Sequence, residues 1–452
     1  MIFLFKKLMN LSCSMWILAM IIMPVQGLAA NLTIAEAVDK AIAHNPGLQA
    51  AQFQTLSAQE KIIQARSGAL PQVYFQEQAN RTTNPMWAFG TKLNQESITA
   101  ADFDPSRLND PDAITNYSTM VSVNWPVYDS GQTWYGVQQA GLNQEATAFS
   151  QERTRQQVIT NTITAYLRAL LVRENQAVIH QILETAKTHL KLVQSRYEGG
   201  FVAKSDLLRA QVHIADLEQQ LSASKSQTDI AKCMLKITMG GADTLTTPLE
   251  AGTPMADTLD EWIAKALAHR PDLKQLMVQK HIAEKKKDKS RASRLPSVSI
   301  SGNYEMNSEE FNDSDSNYTV GAVASLPLFT GGRISSSIRE ADFNLKHINA
   351  MLQDMEQRIC GETRQAFFNA QSSWERIQVA QSAIGQSKES LRIVKNRYNS
   401  GLFTITDLLD VEVVVQQSLT NHLKAVHDYR AAITRLELAA GIMAINIVTT
   451  NF

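Results

Sequence analysis

The chain has 452 residues, 44% of them hydrophobic, with 43 Lys and Arg set against 44 Asp and Glu for a net charge of −1. A near-neutral balance lacks the basic patch of a nucleic-acid reader, and three cysteines are too few for a disulfide framework. Beyond residue 30 no apolar run approaches the roughly twenty residues a spanning helix needs, so any membrane crossing must be made by strands.

Residues 1–30 read as a signal peptide: Lys6 and Lys7 form a charged start, Leu8 to Val25 an apolar core, and Gly27-Leu28-Ala29-Ala30 a small-residue cleavage site. Cys13 follows Asn10-Leu11-Ser12, which lacks the leucine expected three residues before a lipid-attachment cysteine, and the apolar run continues past it. Thr33-Ile34-Ala35-Glu36 is a capping box that opens a helix to His44, and Pro46 starts a second helix running to about Gly68. A strand follows at about 71–80. From Arg81 to Asn116, Asn84-Pro85, Phe89-Gly90, Asp104-Pro105 and Asp110-Pro111 mark a structured loop. In the next strand, about 117–127, Tyr117, Thr119, Val121, Val123 and Trp125 alternate with Ser118, Met120, Ser122 and Asn124. Gln132 to Arg196 contains no proline and carries apolar residues at steps of three and four, which predicts one helix on the order of 90–100 Å long and coiled-coil packing. A turn at Glu198-Gly199-Gly200 and a returning helix from Asp206 to Met239 complete the half.

The chain then repeats itself. Thr258-Leu259-Asp260-Glu261, Ala268-His269-Arg270-Pro271 and Leu295-Pro296 match the opening of the first half at an offset of 225, while Leu326-Pro327 and Arg397-Tyr398-Asn399-Ser400-Gly401 match Trp125-Pro126 and Arg196-Tyr197-Glu198-Gly199-Gly200 at 201. A single insertion of 24 residues in the first loop accounts for both offsets, and loops are where insertions are tolerated. The predicted units are 31–245 and 246–452, with second-half strands at about 296–307 and 318–328. Those strands alternate too: Val298, Ile300, Gly302, Tyr304 and Met306 in one, Tyr318, Val320, Ala322, Ala324 and Leu326 in the other. Four strands of about ten residues fit a tilted bilayer crossing but cannot close a barrel alone, so several copies must combine. Glu309, Glu310, Asp313 and Asp315 make the second mouth loop short and acidic.

This doubled order, with its two Arg-Tyr-x-x-Gly turns each followed by Asp-Leu-Leu, resembles the TolC-like outer-membrane efflux protein family over the whole mature chain. The resemblance implies an α+β membrane protein: a duplicated repeat of long coiled-coil helices and two β-hairpins, trimerising into a 12-strand outer-membrane β-barrel continued by a periplasmic α-helical barrel. It implies a passive channel of a tripartite efflux or type I secretion system, with a periplasmic adaptor and an inner-membrane pump as partners and no cofactor. At the helical tip, Asp407 and Asp410 fall three apart on one helix face, and Arg209 stands in the first repeat where Asp410 stands in the second. The resemblance places Asp407 and Asp410 in an entrance gate, with Tyr398 bonding to Asp206 and Ser205 of the neighbouring helix pair; Phe403 replaces a family arginine. Ser205 or Asp206, and Thr406 or Asp407, are also candidate helix caps. Gly200, Phe201, Gly401 and Leu402 are the candidate adaptor contacts.

No Gly-x-Ser-x-Gly, His-Glu-x-x-His or phosphate loop points to catalysis, and the nine histidines read as ordinary helix residues. The run Lys285-Lys286-Lys287-Asp288-Lys289 reads as a solvated helix face. A trimeric adhesin would gather its strands at the C-terminus, which this sequence does not; a periplasmic coiled-coil scaffold would share the helices but not the alternating strands.

Overall fold

The computed structural model describes residues 31–239, 244–245, 248–310 and 314–443. The predicted signal at 1–30, residues 311–313 of the second mouth loop and the stretch beyond 443 lie outside the described residues.

Strand β1 (Asn31–Leu32) leads into α1 (Ile34–His44), whose capping box closes through Thr33 and Glu36, and α2 (Pro46–Ser67) starts on an Asn45 cap. Strand β2 (Gln72–Thr82) rises to the mouth loop, which holds α3 (Pro85–Asn94), a 3-10 turn at Ala100–Phe103 and α4 (Pro105–Asn109). Strand β3 (Ile114–Tyr128) returns and feeds α5 (Gln132–Glu198), which turns into α6 (Lys204–Met239). Strand β4 (Thr244–Leu245) pairs in parallel with β1. The second half follows as α7 (Leu259–His269), α8 (Pro271–Ala292), β5 (Ser297–Ser308), β6 (Asp315–Ser325), α9 (Arg333–Asn399) and α10 (Ile405–Ala440).

The helices of the two halves match in length. α5 and α9 each have 67 residues, about 100 Å at 1.5 Å per residue, and α6 and α10 each have 36. Both long helices start after a left-handed glycine, Gly131 at φ 79° and Gly332 at φ 86°, a conformation in which glycine avoids a Cβ penalty. Beside the first, the Asp129 carboxylate accepts from the Thr133 and Gly131 amides at 2.6 and 3.0 Å. The Ser130 hydroxyl donates to the Pro296 carbonyl and so joins the halves at the junction of sheet and helix.

The four long strands form one antiparallel sheet in the order β2-β3-β5-β6, so the hairpins of the two halves pair through β3 and β5. The register shifts between Pro126 and Tyr128, where proline lacks the amide a regular ladder needs. β6 stops at Ser325, short of the predicted 328 and just before Pro327. Both outer strands, β2 and β6, have one free edge within the chain.

Most burial is among the helices. Ile159, Ile163, Tyr166, Leu167 and Leu170 of α5 pack on α1 and the end of α6, with the Tyr166 hydroxyl donating to the Leu32 carbonyl at 2.7 Å. α7, α9 and α10 make a matching cluster around Trp262, Ala370 and Leu436. Arg270, 3% exposed, bonds bidentately to Asp272 at 3.0 and 2.6 Å and to Glu362 of α9 at 2.6 Å. The lysine run on α8 is not wholly solvated: Lys287 reaches Asp342 of α9 at 2.5 Å with its side chain 22% exposed. Cys233 and Cys360 are both free. Among the described residues no helix is long and apolar enough to cross a membrane.

Candidate functional site

The sheet separates two chemistries onto its two faces. Because side chains alternate along a strand, the register that sets Phe75 opposite Val121 also aligns Val121 with Tyr304 and Tyr304 with Tyr318. A second row, Val73, Val123, Gly302 and Val320, lies on the same face. Phe75, Tyr318 and Val320 are 71%, 77% and 72% exposed, far more than an apolar face covered by its own chain. The opposite face is polar: Ser122 aligns with Asn303 and Asn303 with Thr319, while Ser118 donates to Glu305 at 2.7 Å. Near the mouth, Gln95 donates to Asn116 at 2.9 Å and Asn116 to Asn307 at 2.7 Å, anchoring the first loop across both halves.

About 100 Å away the two helical hairpins end side by side. Each long helix stops in a Schellman turn: the Phe201 and Leu402 amides reach the Arg196 and Arg397 carbonyls at 2.8 and 2.9 Å, and Gly200 and Gly401 take φ of 74° and 77°. Phe201 and Leu402 project from these turns, 83% and 73% exposed.

The caps beyond the turns differ from the sequence expectation. In the second half Thr404 is the N-cap, and Asp407 completes the box by accepting from the Thr404 amide and hydroxyl at 2.8 and 2.7 Å. Those bonds, the hydroxyl's first, hold the Asp407 carboxyl below its ordinary range. Thr406 instead accepts from Arg209 of the other hairpin at 2.7 Å. In the first half α6 begins at Lys204, so Ser205 and Asp206 lie inside its first turn and Ala203 occupies the position matching Thr404. Asp410 stands exposed one turn beyond Asp407.

Tyr398 is 3% exposed and packs among Val193, Leu207, Val394, Ile405 and Leu408. Its hydroxyl is buried with no hydrogen-bond partner inside the chain, so the bond to Ser205 or Asp206 is not formed within a protomer. Burial pushes the Tyr398 hydroxyl above its ordinary range against the pull of nearby Arg196. The hairpins are tied instead by Arg196, which lies 4.8 Å over the Tyr398 ring and donates to the carbonyls of Tyr398 and Asn399 at 3.2 and 3.1 Å. Phe403 joins the same apolar cluster and receives Arg397 at 5.3 Å.

Three residues that sequence reasoning passed over meet just inside this end. Glu412 of α10 has a side chain only 4% exposed; His189 Nδ1 of α5 stands 2.6 Å from its Oε1, and His213 Nε2 of α6 stands 3.9 Å from its Oε2. Neither approach has hydrogen-bond geometry: His189 Nδ1, His213 Nε2 and both Glu412 carboxylate oxygens are buried without a hydrogen-bond partner within the chain. Leu408, Glu412 and Val415 are all buried on α10, so a carboxylate occupies a position the helical period reserves for an apolar residue; that mismatch was the readable signal.

The sequence profile of outer membrane efflux proteins matches residues 37–241 and 262–442. The chain is 22% identical to the alkaline protease secretion protein AprF of Pseudomonas aeruginosa, across 97% of this chain and 91% of that one. It is also 22% identical to the outer membrane protein TolC of Vibrio cholerae, across 91% of each. In structure it is similar to the CmeC outer membrane channel of Campylobacter jejuni, with a TM-score of 0.73 and 19% identity over 90% of this chain and 85% of that one.

Proposed function

This chain belongs to the outer membrane efflux protein family, and on that premise we propose that three copies assemble into one conduit whose closed end is the pair of helical hairpins. It is an outer-membrane channel of an export system, set in the outer membrane and reaching into the periplasm. The family is one of transport proteins, not a class of enzyme.

The observation that carries the assembly is the open four-stranded sheet with an apolar and a polar face. An unpaired strand edge in hydrocarbon leaves backbone groups unbonded at several kcal/mol each, so β2 of one copy must pair with β6 of the next. Three copies give twelve strands, with the Phe75–Tyr318 row toward lipid and the Asn303 row toward water. The strands are divided between two helical units, which leaves no separate stalk for an adhesin, and a helical scaffold would have no use for the apolar sheet face.

At the hairpin end, threefold symmetry brings three copies of Asp407 and Asp410 around one axis, and we assign them to the entrance gate with Tyr398, Asp206 and Ser205 lining the seam between hairpins. Asp407 is also committed to its cap, so Asp410 is the freer charge. A ring of carboxylates favours cations and repels itself, which helps opening. Gly200, Phe201, Gly401 and Leu402 are assigned to contact with a periplasmic adaptor that links the channel to an inner-membrane pump, because two exposed apolar side chains on paired rigid turns suit a docking knob. The proteins similar to this one include AprF, which is named for protease secretion, and a pyoverdine export protein of Pseudomonas aeruginosa, so both secretion and small-molecule export lie within range.

Single-channel conductance of the purified protein in planar bilayers, with its mass in detergent measured alongside, tests the reading. A trimer giving small cation-selective openings supports it; a monomer without conductance overturns it.

A further inference from the structure

We propose that the α3 helices of three copies join head to tail into a ring inside the outer mouth of the barrel, Met86 and Trp87 of one copy against Leu93 of the next, and that this ring sets the width of the exit. The inference rests on the trimeric barrel above and adds a second constriction to it, at the end opposite the hairpins.

The burial pattern of β3 shows which face the first loop covers. Ile114, Asn116 and Ser118 are all buried, whereas Thr115, Tyr117 and Thr119 between them stay partly exposed. Side chains alternate along a strand, so the buried set shares the polar face of Ser122. Asn307 on that face of β5 is 1% exposed, while Asn124 and Ser301, farther from the mouth on the same face, are exposed. The cover is therefore confined to the mouth end of the polar face, which in the barrel is the channel side.

Hydrogen bonds identify the cover. Gln95, directly after α3, donates to the Thr115 carbonyl as well as to Asn116, each at 2.9 Å. α3 closes in a turn in which the Ser97 amide reaches the Lys92 carbonyl at 2.9 Å and Glu96 takes φ 47°, a left-handed conformation uncommon for a residue with a Cβ. The loop is also braced from within: Lys92 donates to Asp102 at 2.7 Å, and Asp102 accepts from the Thr99 amide and hydroxyl, both at 2.8 Å. It is a built unit folded over the channel.

The position of α3 then supplies its partner. The helix starts three residues past the end of β2 and approaches β6, at the other edge of the sheet. Its ten residues span about 15 Å, which matches three strand intervals of about 4.8 Å. α3 thus crosses the sheet from edge to edge, and its two ends stand at the two seams with neighbouring copies. Each end carries large apolar side chains open to solvent in the single chain, Met86 and Trp87 at 76% and 68% exposed and Leu93 at 48%. Threefold rotation brings the first end of one copy to the second end of the next, a heterologous contact that closes into a ring and continues the β2–β6 seam.

Size gives the ring its effect. Twelve strands spaced about 4.8 Å and tilted about 40° close at a radius of about 12 Å, and a helix with its side chains is about 10–12 Å across. Three helices laid on the inner wall leave a narrow passage on the axis. The first repeat alone can supply them, because the second mouth loop lacks the 24-residue insertion.

Two measurements on the full-length protein carrying Cys233→Ser and Cys360→Ser test the ring. In the first, a Trp87→Cys/Leu93→Cys double variant is oxidised in isolated outer membranes and separated under denaturing, non-reducing conditions; most chains are expected as covalent dimers and trimers, and those of either single variant as monomers. In the second, Asn303→Cys, on the channel face beneath the ring, meets a polymer-linked maleimide added from outside the cell. It is expected to stay unlabelled, and to become labelled once Gln95→Ala removes the anchor of the loop. In a protein that is trimeric by mass in detergent, absence of covalent oligomers from the double variant, or labelling of Asn303→Cys with Gln95 in place, overturns the ring and leaves the channel standing. A monomer removes the channel reading, and the ring falls with it.

Discussion

Gly441 holds φ at 71° directly against Arg270, whose α-carbon lies 2.7 Å from where a Cβ on that glycine would stand. The neighbouring atoms are all backbone and cannot swing aside. Gly441 ends α10, and its carbonyl accepts from Gln156 of α5 at 2.8 Å, so the turn locks the second half onto the first. Gly441→Ala combines a left-handed penalty with overpacking and is expected to cost about 2–4 kcal/mol. A lowered thermal midpoint in detergent, with no change in single-channel selectivity, is the expected result.

Arg270 also sets an acid limit. Burial raises the Asp272 carboxyl, but hydrogen bonds and charge from Arg270, with Arg153 adding to them, bring it below its ordinary range. A depressed carboxylate adds stability above its unfolded value near 4 and loses it as pH falls through its folded one. The wild type is therefore expected to lose thermal stability below about pH 4, and Asp272→Asn to be less stable at neutral pH with a shallower acid decline. Melting curves of both proteins from pH 7 to pH 3 give the comparison; parallel curves would remove Asp272 from the account.

At the entrance, Arg209 and Arg196 are the cross-hairpin ties, one to a hydroxyl and the other to two carbonyls and a ring. Arg209→Ala removes a single exposed contact and is expected to raise open probability with little loss of stability, below about 1 kcal/mol. Arg196→Lys keeps the charge but cannot serve two carbonyls in fork geometry, so it is expected to open the entrance more than Arg209→Ala. Single-channel open times of the two variants rank them, and the reverse order would show that the ring contact and the forked bonds hold nothing.

The two aspartates should separate by readout. Asp407→Asn weakens a capping box whose charged acceptor serves both the Thr404 amide and hydroxyl, so it is expected to lower stability as well as cation preference. Asp410→Asn is expected to lower cation preference alone. Reversal potentials under a salt gradient, measured beside melting curves, distinguish the roles, and an unchanged reversal potential in Asp410→Asn removes it from the gate.

Much of this architecture is legible in the chain because repetition exposes it: the alternation of Tyr117 to Trp125 and of Val298 to Met306 names residues that the register does place on one face. What the sequence hides is partner choice at the tip. Thr404 and Ala203 occupy matching positions after matching turns, yet only Thr404 has a hydroxyl to cap with, and the helices start at Lys204 and Ile405, two residues before the predicted Asp206 and Asp407. Tyr398 follows the motif, but its place in an apolar cluster depends on residues from three other helices, which no local pattern reports. Glu412 hides for the opposite reason, since its partners His189 and His213 have no counterparts at the matching positions of the second repeat.

The sheet permits the sharpest comparison between its faces. Val320 is 72% exposed beside Gly302 on the apolar face, while Thr319, the next residue, aligns with Asn303 on the polar one. If the apolar row meets lipid, Val320→Arg introduces a charge into hydrocarbon and is expected to destabilise the folded protein in bilayers by up to about 2–4 kcal/mol at the midplane. Thr319→Arg points the same charge into water and is expected to leave stability within about 1 kcal/mol while shifting ion selectivity toward anions. Urea titrations of each variant refolded into lipid vesicles read the first effect, and reversal potentials the second. Equal destabilisation at both positions would mean that neither face meets lipid, and the barrel would have to be placed elsewhere in the chain.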